Sequence, residues 1–86
     1  MEIKININDY NARDGLNLTW KDGYKIIANQ NQGEIVIFAN ENGLISLANH
    51  FLTLAQPSVP AGTHVHLDEY NSLEEGSAEI IIQKVD

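Results

Sequence analysis

At 86 residues and with no cysteine, the chain has room for a single domain, residues 1–86, and for none of the chemistry of disulfides, thiolate zinc sites or cysteine nucleophiles. The net charge of −7 falls entirely in residues 33–86, where Glu34, Glu41, Asp68, Glu69, Glu74, Glu75, Glu79 and Asp86 face only Lys84, while acids and bases cancel over residues 1–32. Such an acidic field repels nucleic acid and anionic membranes, excludes both as direct partners, and attracts a basic protein.

The N-terminal stretch MEIKININDY has neither the basic nor the apolar region of a secretion signal, and the longest apolar run, Ile35 to Ala39, is too short to span a bilayer. The expectation is a soluble, unprocessed chain. Glu2 to Asn8 alternates, with Ile3, Ile5 and Ile7 on one side, and predicts a half-buried strand. Leu16, Leu18 and Trp20 repeat the pattern in a second strand, after which Asp22-Gly23 supplies the positive φ of a tight hairpin turn. A third strand over Tyr24 to Ala28 and a fourth over Glu34 to Ala39 follow, separated by a turn around Asn29 to Gly33.

Asn40 to Gln56 carries the one long helical period. Leu44, Leu47, Ala48, Phe51, Leu52 and Ala55 fall on one face, and Ile45 and Leu54 widen the stripe, which predicts that this face builds the core against a broad sheet. Asn40 stands at the N-cap, Glu41 places a carboxylate in the first turn, and Pro57 forbids continuation. His50 lies on the polar side and is expected to be exposed. Thr63 to Asp68 then predicts a fifth strand, with Val65 and Leu67 opposite His64 and His66, and Ala78 to Val85 a sixth. The polar loop between them, Glu69 to Ser77, has the spacing of a capping box at Ser72 to Glu75. The order β-β-β-β-α-β-β predicts an α+β fold, a largely antiparallel sheet of about six strands with one helix packed on one face.

One helix covers only one side of a sheet. With Ile35, Ile37, Val65, Leu67, Ile80 and Ile82 directed toward the helix, the far side gathers Ile27, Val36, Phe38 and Ile81. That side is either a surface for protein binding or self-association, including a homodimer through the open sheet face, or is buried by curling of the sheet.

His64 and His66 share a strand face with Asp68, and a cross-strand position for Glu79 would offer a third ligand. The imidazole pair is a candidate for metal or small-ligand binding, set against a solvated or interface pair. Trp20 and the tyrosines are expected to pack into the core or along its edges. No Gly-rich phosphate loop, Gly-x-Ser-x-Gly elbow or His-Glu-x-x-His is present, so the expectation is no enzyme, no catalytic residue and no cofactor.

The Gly-Leu-x-x-Leu-Ala helix at Gly43 to Ala48, the His-x-His-Leu-Asp strand end at His64 to Asp68, and Asn-Ser-Leu-Glu-Glu-Gly-Ser at Asn71 to Ser77 resemble a family of small immunity proteins from bacterial polymorphic toxin systems. The resemblance runs from Gly33 to Lys84. It implies a cytoplasmic α+β protein that binds and neutralises a cognate toxin by occlusion, and it transfers no active-site residue. Many such toxins attack nucleic acids and are basic around their active sites, so an acidic inhibitor complements them. The residues expected at that contact are His64, His66, Asp68, Glu69, Glu74, Glu75 and Glu79, with Phe38 on the adjoining sheet face.

Overall fold

Two hairpins and one helix make up the regular structure of the computed structural model, which describes residues 1–86. In chain order the elements are β1 (Ile26–Asn31), β2 (Glu34–Ala39), α1 (Glu41–Leu54), β3 (His64–Leu67) and β4 (Ile80–Gln83). β1 and β2 pair antiparallel around Gln32-Gly33, whose φ values of 48° and 83° give the turn a twist that matches the flanking strands. β3 and β4 pair antiparallel with Val65 against Ile82 and Leu67 against Ile80. The fold is therefore α+β with antiparallel pairing, but as two two-stranded sheets rather than one sheet of about six strands.

The loop joining β3 to β4 stitches the two sheets together. Its Glu74 and Ala78 N–H groups donate to the Ile26 and Ala28 carbonyls at 2.9 and 2.7 Å, and Ser77 Oγ accepts from the Ala28 N–H at 3.2 Å. β1 thus has β2 on one side and this loop on the other. Ile26, Ala28, Leu47, Leu54, Val59, Val65, Leu67 and Leu73 form the buried core between the two sheets and α1.

The strands expected over Glu2 to Asn8 and Leu16 to Lys21 are not strands. Both segments lie along α1, and their backbone groups bond to helix side chains in place of a neighbouring strand. Asn49 Nδ2 donates to the Asn6 carbonyl (3.1 Å) and Gln56 Nε2 to that of Asn8 (3.0 Å). The Tyr10 N–H donates to Gln56 Oε1 (3.0 Å), the Thr19 N–H to Asn49 Oδ1 (3.5 Å) and the Lys21 N–H to Ser46 Oγ (2.8 Å). Asp22-Gly23 does turn the chain, with Gly23 at φ 80°, but it joins this strap to β1 and closes no hairpin.

The strap also reverses the expected orientation of α1. Ser46, Asn49, His50 and Thr53 are the helix residues it covers, and all are buried. Leu44, Phe51 and Leu52 are 57%, 49% and 49% exposed. A polar helix face can be buried at little cost when its polar groups find partners; the strap's otherwise unpaired backbone supplies them to Ser46, Asn49 and His50 Nε2, and Thr53 Oγ1 bonds the Asn49 carbonyl of the helix itself. Of the expected apolar stripe, only Leu47 and, at its margin, Leu54 are buried. His50, expected to be exposed, is inaccessible to solvent.

Asn40 caps α1 as its sequence position requires, accepting from the Gly43 N–H at 2.8 Å. The Gly43 backbone lies so close to β1 that a Cβ there would stand 2.5 Å from the Lys25 carbonyl oxygen and 3.0 Å from Ile26 Cγ1. Gly43→Ala should lower stability by about 1–3 kcal/mol, although alanine gains up to about 1 kcal/mol of helix propensity. A rise in the thermal midpoint would contradict this account of the helix–strand contact.

His50 is packed edge-on against Trp20, with ring centroids 4.1 Å apart, and Trp20 in turn stacks on Tyr24. The Thr19 carbonyl, 3.1 Å from His50 Nε2, can only accept, so Nε2 carries the proton and the buried Nδ1 is left bare and without a partner. Burial pushes the His50 pKa below its usual 6.5, outweighing the Thr19 bond, which acts in the opposite direction. The unfolded chain therefore takes up a proton before the folded one does, and stability contributed by neutral His50 declines as pH falls below about 6.5. Urea midpoints should drop from pH 7.5 to 5.5 more steeply in the wild type than in His50→Gln, which keeps a donor for Thr19 and cannot titrate. Parallel profiles would contradict the assignment.

Candidate functional site

β3 sorts its side chains by alternation, and the register with β4 fixes what each one meets. Val65 and Leu67 enter the core, while His64 and His66 face outward opposite Gln83 and Ile81. His66 Nε2 lies 2.8 Å from Glu79 Oε1 and 3.6 Å from Asp68 Oδ2. His64 turns away, with Nδ1 3.4 Å from the Gly62 carbonyl. The two imidazoles have different partners, and no cluster of three His, Asp or Glu side chains has metal-binding geometry.

The acidic residues divide into those that build the loop and those that face water. Asp68 Oδ1 accepts from the Tyr70 and Asn71 N–H groups (2.9 and 3.1 Å), and the Asp68 carbonyl accepts from Asn71, Ser72 and Leu73. This turn takes the place of the expected capping box and lowers Leu73 into the core. Glu69 Oε2 accepts from the Gly76 N–H at 2.9 Å and closes the loop. Glu74 and Glu75 are exposed, and no hydrogen bond or ion pair engages their carboxylates. The spacing of Asp68 to its following N–H groups was the one signal in the sequence for this division, since an Asp that starts a turn bonds its own backbone two and three residues on.

The one base of residues 33–86 does not neutralise this surface. Lys84 Nζ donates to the carbonyls of Gln56 (2.7 Å) and Val59 (2.8 Å) just beyond the C-terminus of α1, where a cation is favoured. The structure thus brings His66, Asp68 and Glu79 into contact and carries Glu69, Glu74 and Glu75 on the same loop. Phe38 belongs elsewhere. It lies on β2, across β1 from the loop, paired with Ile27.

Sequence periodicity missed two features. One is the polar ridge of α1 that holds the strap, although Ser46, Asn49, His50 and Thr53 recur at helical spacing themselves. The other is the exposure of β2: Ile35 and Ile37, expected to face the helix core, are 71% and 42% exposed. The N-terminal end of α1 sits over Lys25 and Ile26, which leaves the outer strand of the hairpin uncovered. Val36, Phe38, Ile27 and Ile81 are exposed as well, so no curling of the sheet buries the far side.

No deep cleft accompanies the acidic loop. The depression between strap and helix, lined in part by Asn6, Trp20 and Asn49, holds about 200 Å³, below the range usual for small-molecule sites. A larger hollow is bounded by Met1 to Lys4 alone. No helix is long and apolar enough to cross a membrane.

No curated protein and no solved structure matches the chain. The family model described as Immunity protein 32 matches residues 34–85, a span that takes in β2, the helix, both outward histidines and the whole acidic loop. With more than half of its length so matched, the chain belongs to the Immunity protein 32 family.

Proposed function

We propose that this immunity protein neutralises a cognate toxin by occlusion, laying the acidic surface formed by the β3–β4 loop over a basic region of the toxin. The observation that carries the proposal is the pair of free carboxylates at Glu74 and Glu75, close in sequence to Glu79, while Lys84, the one base of residues 33–86, is held against backbone carbonyls. Charge of one sign on a surface of this kind speeds encounter with the opposite sign and fixes orientation more than it adds affinity. The apolar Ile81, exposed beside His66, supplies contact area to such a surface. A basic nuclease is the toxin class that fits best, because its nucleic-acid groove offers the matching charge. The reading requires no chemistry in the immunity protein itself, and it places the action in the cytoplasm, where such a toxin would find its substrate.

The test is neutralisation by the pure chain. The toxin encoded next to this protein should form a complex with it and lose activity in stoichiometric proportion. A toxin that is inhibited only substoichiometrically, with its covalent structure altered, would instead indicate enzymatic immunity.

A further inference from the structure

We infer that β2 is a dimerisation edge, and that two copies of this chain pair antiparallel through it about a two-fold axis at Ile37. The Asn40 N–H donates to the Lys25 carbonyl at 3.1 Å. Antiparallel alternation then directs the backbone groups of Phe38, Val36 and Glu34 toward β1 and those of Ile35, Ile37 and Ala39 outward. None of these three outward residues has a hydrogen bond to any loop, turn or side chain, so the edge is a free template.

The register follows from those three positions. Only pairing centred on Ile37 uses all of them, setting Ile35 against Ala39 of the second copy and Ile37 against Ile37, with about six main-chain hydrogen bonds in total. Val36 then lies beside Phe38 of the second copy, and these apolar residues, now 40% and 54% exposed, cover one another. Natural edge strands are normally protected by lysine, proline, a bulge or a covering element. β2 has none of these and reads Ile-Val-Ile-Phe-Ala after its first residue.

Charge selects a second copy over other strands. Glu34 and Lys25 both lie on the outer face of the hairpin, at opposite ends, and neither has an ionic partner within the chain. In the two-fold register Glu34 faces Asn40 of the second copy, next to Lys25 of that copy, so each end of the interface gains an opposite-charge pair. Glu41 follows Asn40 as the first residue of α1, and the acidic loops, which lie on the other side of β1 in each copy, are kept apart. Both remain open to a toxin, and the dimer does not depend on the toxin-binding proposal.

Sedimentation velocity on the full chain from about 1 to 500 μM should show a concentration-dependent dimer, as an interface of small area requires. Ile37→Pro removes an outward N–H and no bond to β1, and should raise the dimer dissociation constant at least tenfold (roughly 1.4 kcal/mol). Glu34→Lys should weaken the dimer, and adding Lys25→Glu to it should restore association, a recovery that mere loss of folding cannot produce. A wild type that is monomeric throughout, or a dimer indifferent to both Ile37→Pro and the charge changes, would overturn the inference. Loss of toxin binding on Ile37→Pro in a chain that is always monomeric would place a toxin strand on this edge and overturn it too. A dimer abolished by Phe51→Ser alone would move the contact to the helix.

Discussion

Asn49→Leu should cost about 2–4 kcal/mol of stability, because it strands the Asn6 carbonyl and the Thr19 N–H, at about 1–3 kcal/mol for each partner left unpaired. Both now bond the Asn49 amide in a part-buried setting. Phe51→Ser, the change that helical patterning would rank as the more damaging, should cost about 1 kcal/mol or less, since Phe51 is half exposed and full burial of such a side chain contributes only about 1.5–3 kcal/mol. Against a total stability of roughly 5–15 kcal/mol, the first substitution removes a large fraction and the second a small one. Urea denaturation of the two variants gives the order. Hydrogen exchange should add that Asn49→Leu releases residues 1–21 before the sheets open, because the helix ridge is what ties them down. The reverse order of stabilities would mean that the exposed helix face, not the polar one, is the true core contact.

This inversion explains how much of the fold could be seen in the sequence. The helix and its cap at Asn40, the β2 and β3 segments, and the inward pair Val65 and Leu67 follow from period and capping chemistry, which are local. Which face of α1 is buried is not local. It depends on whether a polar ridge meets unpaired backbone, and Ser46, Asn49 and Gln56 offer side chains that substitute for a neighbouring strand. Alternation at Ile3, Ile5 and Ile7 cannot say whether the partner of such a segment is a strand or a helix. The Asp22-Gly23 and Gln32-Gly33 turns show the same limit. Both have glycine at positive φ, yet only the second is flanked by chains that pair, although its glutamine is a poor turn residue.

For the acidic loop, local chemistry identified the right segment but gave its members one role. Asp68 and Glu69 are bound to backbone N–H groups of the loop, so reversing their charge would unfold the surface along with altering its field. His66 and Glu79 engage one another, so a change in either frees the other. Glu74 and Glu75 alone combine exposure with freedom from internal bonds. The double change Glu74→Lys and Glu75→Lys shifts the net charge of −7 by four units to −3 without removing a hydrogen bond.

The association rate of this double variant with its toxin, measured across ionic strength, tests the proposal most directly. At low salt the rate should fall by roughly tenfold to a hundredfold and its salt dependence should flatten, because steering of this kind is screened within a Debye length. Association as fast and as salt-sensitive as that of the wild type, in a variant with an unchanged urea midpoint, would contradict the placement of the toxin on the acidic loop.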